Sequence, residues 1–221
     1  MDRNDRSTSL WGNIVFLFFR LLWLALIFLG YVQHPEYFVG LARALPLLGS
    51  YVASSPDIQR LACMGLCAAF FACRQIYWLL FFATGSFPPP IAAVIGVMIP
   101  AKFLLLSLAA SAAPFGSAAD AAGLLLFLTG MAVETVSEAQ RKAFKDDPRN
   151  AGRPYGGGLF SLARHINYFG DAVAYAGYVL LASGSWAAAA AMAAFETAVF
   201  LNGSIPELSH HMAARWRRCA T

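Results

Sequence analysis

Six runs of apolar residues divide the chain, at residues 11–31, 61–84, 90–112, 119–134, 159–182 and 185–203. Most are close to the roughly 20 residues that an α-helix needs to cross a hydrocarbon core of about 30 Å. Ala, Leu and Phe dominate them, and the strict apolar and polar alternation of a membrane β-barrel strand is absent. The pattern predicts an all-α fold, a polytopic membrane bundle of about six transmembrane helices.

Composition and charge support this prediction. Hydrophobic residues make up 59% of the 221 residues and charged residues only 13%, which no soluble globular domain of this size would show. With six spans, the basic N-terminus, the basic loop at 135–157 and the basic C-terminus fall on one side, against Arg43 and Arg60 on the other. The excess of Lys and Arg marks that side as cytoplasmic, so an inner (cytoplasmic) membrane location is expected. Topology also explains the isoelectric point near 9.0, and nucleic-acid binding is excluded.

The polar residues divide the chain into two parts. Residues 1–113 form an N-terminal region of transmembrane helices, and residues 114–221 form a C-terminal region with a cytoplasmic loop. Ionisable residues are dense between residues 130 and 171, next to stretches of hydrocarbon side chains. Charge near a bilayer costs several kcal/mol unless it is paired or hydrated. We therefore expect this segment to hold a polar ligand.

Within this segment, Glu134, Glu138, Arg141 and Lys145 are spaced to share one face if the fourth helix continues past the membrane. Such a face also fits a solvated helix end with two ion pairs, each contributing a few tenths of a kcal/mol. A glycine-rich loop at 152–158 follows and leads into a helix with polar residues in its first turns. Glycines let backbone amides approach a phosphate, and nearby cations neutralise it, although such loops also occur simply as turns.

Three cations, Arg20, Arg74 and Lys102, fall inside apolar runs. Buried cations in lipid need partners or a wet cavity. Arg74 and Lys102 are expected to line a cofactor cavity; the alternatives are snorkelling of Arg20 towards the interface or pairing of these cations with Asp120 or Glu196. No metal site is expected, because the cysteines and histidines lack the spacing of metal ligands.

The polar motifs of the C-terminal region, taken in order, resemble the C-terminal domain of the steroid 5α-reductase family, especially its uncharacterised bacterial membrane relatives. They are Glu134-x-x-x-Glu138-x-Gln140-Arg141-Lys142, Phe144-Lys145, Gly158-Leu159-Phe160 and Arg164-His165-Ile166-Asn167-Tyr168-Phe169-Gly170-Asp171, followed by Gly177 and Pro206-Glu207. The chain departs from the family pattern in having Ile166 for a proline, Asp171 for a glutamate and a short tail after Glu207.

The resemblance implies a membrane oxidoreductase that binds NADPH on its cytoplasmic face and reduces a carbon–carbon double bond in a lipidic or steroid-like substrate. Arg74 resembles a family arginine, but Phe71 stands where a substrate-polarising tyrosine is expected, so Tyr77, one helical turn after Arg74, is the candidate proton donor. Tyr77 and Arg74 are therefore the catalytic candidates. The cofactor-binding residues implied are Glu134, Glu138, Lys142, Lys145, Arg153, Arg164, Asn167, Tyr168 and Asp171, where Tyr168 either contacts the cofactor or anchors the helix at the headgroup level.

Two other interpretations stay open. The Arg164-His165 box also resembles membrane methyltransferases of the isoprenylcysteine carboxyl type, which bind S-adenosylmethionine, although their paired glutamates are represented here by Glu207 alone. A non-catalytic bundle that binds lipid or a partner is the third. Stabilisation by NADPH, by S-adenosylmethionine or by neither would distinguish the three.

Overall fold

The computed structural model describes residues 6–33, 40, 44, 57–82, 88–107, 110, 113–151 and 153–206. Within these ranges the chain forms helices and loops and no strand. Arg3, Glu207 and the basic residues of the C-terminus lie outside them. The helices are α1 (Arg6–Ile27, continued by a π-helix at Phe28–Gln33), α2 (Ile58–Phe81), α3 (Pro89–Ser107), α4 (Ala118–Asp146), α5 (Ile166–Ser183) and α6 (Trp186–Asn202), with 3₁₀ turns at Pro148–Asn150 and Gly158–Ser161.

Each predicted apolar run falls on one of these helices, which confirms the all-α fold class. Five segments are long and apolar enough to cross a membrane: Leu10–Tyr31, Ile58–Phe81, Pro89–Ser107, Ala118–Asp146 and Trp186–Pro206. The predicted run at 159–182 becomes α5, which begins only at Ile166 and is less apolar because it carries Asn167, Asp171 and three tyrosines. Residues 174–182 of α5 are all buried. A helix covered by protein tolerates polar side chains that lipid would not.

The chain forms two compact units, one of Met1–Leu124 with Tyr178–Ser185 and the other of Leu125–Gly177 with Trp186–Thr221. The boundary predicted at residues 113 and 114 stays a prediction. In the first unit, Trp23, Phe71 and Phe103 form an aromatic core, with the Phe71 and Phe103 ring centroids 4.8 Å apart. Such pairs contribute about 0.5–1.5 kcal/mol beyond the area they bury. These rings join α1, α2 and α3.

Arg20 is a fully buried cation, 0% exposed, and does not snorkel. Its Nη1 donates to the carbonyl oxygen of Gly96 at 3.3 Å, and its guanidinium lies 4.4 Å from the centre of the Phe16 ring. The Gly96 carbonyl needs a donor because Pro100, four residues later in α3, has no backbone N–H. The arginine therefore supplies the hydrogen bond that the proline removes, and Gly96 allows close approach, since a Cβ there would lie 2.7 Å from the Phe19 ring.

A double-mutant cycle tests this arrangement. Arg20→Met is expected to destabilise the protein by about 1–3 kcal/mol, because it leaves a buried carbonyl without its donor. In a Pro100→Ala background the helix can supply an amide to Gly96, so the same Arg20→Met change should cost less. The measurement is the free energy of unfolding in detergent for all four proteins. Equal costs in both backgrounds would contradict the pairing.

Arg60, which the sequence predicted on the side opposite the basic segments, is 2% exposed and forms an ion pair with Asp120. Its guanidinium also donates to the carbonyl oxygens of Leu181 at 2.5 Å and Ala113 at 3.3 Å. Asp120 in turn accepts from the backbone N–H of Ser117 at 2.9 Å, while its own N–H donates to the Ser117 hydroxyl at 3.2 Å, the reciprocal pattern of a capping box. Asp120, one of the alternative partners considered for the cations inside apolar runs, thus pairs with Arg60 from the start of α2.

Candidate functional site

The second unit is organised by a close crossing of α4 and α5 at Gly130 and Gly170. A Cβ built on Gly130 would overlap the backbone at Gly170 and Ala174, and one built on Gly170 would lie 2.8 Å from the carbonyl oxygen of Gly130. Small residues allow helix backbones to approach this closely in a membrane protein. Glu134 and Glu138 follow Gly130 at intervals of four residues, so they lie on the same face of α4, one and two turns further along. The crossing therefore sets where these acids meet α5.

Five charged and polar residues of α4 and α5 come together beyond this crossing, and we call them the Glu138 cluster. They are Glu138, Arg141, Asn167, Tyr168 and Asp171. Glu138 is 4% exposed and accepts hydrogen bonds from the Asn167 side-chain amide at 3.2 Å and from the Arg141 guanidinium. Glu138, Arg141 and Asp171 all act electrostatically on the hydroxyl of Tyr168. The structure thus brings together four of the predicted cofactor residues, Glu138, Asn167, Tyr168 and Asp171, together with Arg141.

Tyr168 is held by protein partners. Its ring stacks on Phe200, with centroids 4.5 Å apart and planes at 7°, and on His165, with centroids 5.6 Å apart and planes at 12°. Its hydroxyl is hydrogen-bonded to Ser204. Burial, followed by the charge of Arg164, lowers the pKa of His165 below its ordinary value, so the imidazole is neutral near pH 7. This stack could not be predicted from the sequence, because Phe200 and Ser204 come from α6 and the turn after it.

Gln140 lies in the polar motif of α4 but was not among the predicted site residues. It connects the end of the glycine-rich loop to α4. Its side-chain carbonyl oxygen accepts from the backbone N–H of Leu159 at 2.9 Å. Gly158 has a φ of +53°, and a Cβ there would overlap the Gln140 side chain and lie 2.9 Å from the Tyr155 hydroxyl. That the amides of residues 152–158 bind a phosphate stays a prediction, and the amide of the next residue, Leu159, is bonded inside the protein. Gly158 therefore serves the docking of the loop.

Several basic residues lie near the end of α4, and two of them form ion pairs with aspartates close in sequence. Lys142 pairs with Asp146 one turn along α4. Arg149 pairs with Asp147 at 2.6 Å, and this contact holds the pKa of Asp147 below its ordinary value. Lys145, Arg153 and Arg164 are exposed at the surface. The ion pairs expected of a solvated helix end are therefore present. The carboxylate of Glu138, however, is buried, which a solvated helix end does not require.

The remaining predicted site residues lie elsewhere. Glu134 is 8% exposed and faces the crossing. A Cβ built on Gly170 would lie 3.2 Å from the Cβ of Glu134. Arg74 and Tyr77 belong to α2 in the first unit. The guanidinium of Arg74 lies 5.4 Å from the Phe71 ring centre, and the half-exposed Tyr77 ring packs against Phe81 at 4.7 Å between centroids. Their catalytic roles stay a prediction.

A half-open cavity of about 300 Å³ lies in the first unit between α1 and α3. Its lining is almost entirely apolar and includes Phe19, Leu22, Trp23, Tyr31, Pro100 and Leu104. It differs in kind from the water-accessible, charge-lined cavity that the resemblance implies for a nucleotide. Among the described residues, no group of three or more His, Cys, Asp or Glu side chains is arranged to hold a metal ion.

Comparison with known proteins relates most of the C-terminal part of this chain to one family. The model of the family described as "Protein of unknown function (DUF1295)" matches residues 90–219. A relative from Ustilaginoidea virens, named "Probable O-methyltransferase ustE", is 40% identical over 95 residues, which are 43% of this chain and 33% of that protein. The match thus spans about a third of that relative's length, and no solved structure matches the chain. The chain belongs to the DUF1295 family, a family related to steroid 5α-reductase-like membrane proteins.

Proposed function

We propose that this integral membrane protein is a reductase that uses NADPH to reduce a carbon–carbon double bond in a lipidic substrate. The observation that carries the proposal is the Glu138 cluster. A carboxylate that is 4% exposed and bonded to both an arginine and an amide, at the end of a membrane helix, is costly to maintain for stability alone. Buried ionisable groups that meet near a membrane surface are candidates for a binding site.

The chemistry of the cluster suits the polar parts of a dinucleotide. Carboxylates such as Glu138 and Asp171 accept hydrogen bonds from ribose hydroxyls, and the Asn167 amide both donates and accepts. Lys142 and Lys145 lie on α4, one to two turns after Glu138, where their charges can neutralise phosphates. Lys142 would have to exchange Asp146 for a phosphate, which is feasible because the Asp146 carboxylate of this pair is more than half exposed.

NADPH, when bound, supplies a hydride to one carbon of the double bond. The protein must then deliver a proton to the other carbon, and we assign this to the Tyr77 phenol, whose phenolate recovers a proton from water. Arg74, three residues earlier on α2, is proposed to hold the substrate's polar group and to stabilise the developing negative charge.

A second candidate, transfer of a methyl group from S-adenosylmethionine, is supported by the name of the Ustilaginoidea virens relative. The two cofactors make different demands. NADPH brings several negative phosphate charges and requires cations, whereas the sulfonium of S-adenosylmethionine is positive and favours carboxylates and aromatic faces. The ligand that stabilises the protein therefore distinguishes the candidates.

The decisive measurement is the thermal unfolding of the purified protein in detergent with each cofactor. A ligand present at one hundred times its Kd stabilises the folded state by about 2.7 kcal/mol, which is readily seen as a rise in Tm. We expect this rise with NADPH and none with S-adenosylmethionine. The opposite result would replace the reductase by a methyltransferase, and no rise with either would remove both.

Variants locate the site. Asn167→Ala and Lys145→Ala are each expected to abolish the NADPH-induced rise while leaving the unliganded Tm within a few degrees, because both side chains are at least partly exposed. Arg149→Ala is the matched control. It removes an exposed cation that lies four residues after Lys145, beyond the end of α4, and that pairs with Asp147, so this variant should retain the rise. Unchanged NADPH affinity in both Asn167→Ala and Lys145→Ala would contradict the site assignment.

A further inference from the structure

We propose that residues 153–165, which we call the re-entry segment, dock on the headgroups of anionic phospholipids in the membrane that the protein spans. The proposal concerns a surface outside the Glu138 cluster and does not depend on which cofactor that cluster binds. It rests on the depth of the segment, on its attachment to α4 and on the side chains it exposes.

Helix length places the segment at the headgroup level. α4 has 29 residues, which at 1.5 Å per residue is about 43 Å, well beyond a core of about 30 Å. Its N-terminus is marked by the capping box of Ser117 and Asp120. Counting about 20 residues from there, the core ends near Glu138, and Gln140 lies only a few Å beyond it. Because Gln140 binds the Leu159 amide at 2.9 Å, the re-entry segment lies at that same depth.

Aromatic contacts attach the segment to the helix end. The Tyr155 ring lies 5.0 Å from Phe144 of α4 and 5.7 Å from Phe160 of the 3₁₀ turn. The Gln140 bond and the Phe144 contact thus hold Leu159 of the turn and Tyr155 before it against α4. Tyrosine and other aromatic residues are enriched at the interface between hydrocarbon and water. The segment is therefore a preformed interfacial element with a defined outer face.

That outer face is both apolar and basic. Leu162 is 75% exposed, the highest fraction of any large apolar side chain in the described ranges. Arg153 and Arg164 flank it in sequence and are exposed, and neither forms an ion pair with any residue that the structure describes. An exposed leucine between two exposed cations complements an anionic leaflet, where the hydrocarbon accepts the leucine and the phosphates accept the guanidinium groups.

The test is hydrogen–deuterium exchange of the full-length, nucleotide-free protein in lipid nanodiscs. One set of discs contains phosphatidylcholine alone and the other contains about one third phosphatidylglycerol. Each arginine near an anionic surface gains roughly a fivefold preference. We therefore expect exchange of residues 153–165 to slow at least about fivefold in the anionic discs and to return towards the phosphatidylcholine rate in high salt. Glycerol phosphate added to phosphatidylcholine discs should not reproduce the effect, which separates a lipid headgroup from a free phosphate.

Variants make the outcome specific. Arg153→Gln with Arg164→Gln should remove the anionic-lipid effect, whereas Arg149→Gln, whose cation is already held by Asp147, should retain it. Leu162→Ser should raise exchange in both kinds of disc, because it removes the apolar contact but no charge. Equal exchange of wild-type protein in the two lipids, or an undiminished effect in the double arginine variant, would overturn the proposal. So would full reproduction of the effect by glycerol phosphate.

Discussion

Replacing Arg60 with methionine is expected to destabilise the protein by about 3–5 kcal/mol, the usual cost of removing one partner from a buried ion pair. The change leaves Asp120 as a charge without its counterion in a site where its side chain is 1% exposed. It also removes the donor to the Leu181 carbonyl oxygen, 2.5 Å away, which links the start of α2 to the end of α5. A loss of this size is comparable with the total stability of many domains.

The free energy of unfolding in a denaturing detergent titration measures this effect. Asp120→Asn provides the complementary change, because the amide keeps the shape of the carboxylate but carries no charge. We expect the double variant Arg60→Met with Asp120→Asn to lose less than the sum of the single losses, since neither charge is then left alone. A cost below about 1 kcal/mol for Arg60→Met would show that the pair is solvated rather than buried.

Gly130→Ala is expected to disrupt the second unit. The added Cβ would overlap the backbone of α5 at Gly170 and Ala174, and backbone atoms cannot move aside as a flexible side chain can. The helices must separate, at a cost of about 1–3 kcal/mol or more. Because the crossing positions Glu138 against Asn167, the same change should break their 3.2 Å hydrogen bond and weaken NADPH binding. Both the unliganded Tm and the NADPH-induced rise should therefore fall.

Gly30→Ala is the matched control for this change. Gly30 also lies in a membrane-spanning segment, but a Cβ there would have no atom within 4 Å. This variant should retain its Tm and its NADPH response. If Gly130→Ala behaves in the same way, the close approach of α4 and α5 is not what assembles the Glu138 cluster.

Features that depend on short stretches of chain could be predicted from the sequence. Apolar runs revealed the helices because a helix exposed to lipid must present hydrocarbon all along its length. The spacing of Glu134, Glu138 and Arg141 predicted one face of α4, since helical periodicity is a local property. The order of polar motifs located the candidate site in the segment from residue 130 to 171, where Glu138, Asn167, Tyr168 and Asp171 do meet.

Features that depend on packing between distant residues could not be predicted. The pairing of Arg60 was not predicted, because nothing near it in the sequence reveals that Asp120, 60 residues away, shares its site. The role of Gln140 could not be predicted for the same reason, because its partner Leu159 is 19 residues away, beyond the glycine-rich loop.

The sequence alone thus determined that the protein is a helical membrane protein with a polar site in its C-terminal half. Only the tertiary structure decided which charges pair, which amide holds the loop and which rings enclose Tyr168. The physical reason is that burial in lipid acts on each helix by itself, whereas a buried charge or amide is satisfied only by the particular neighbour that packing brings to it.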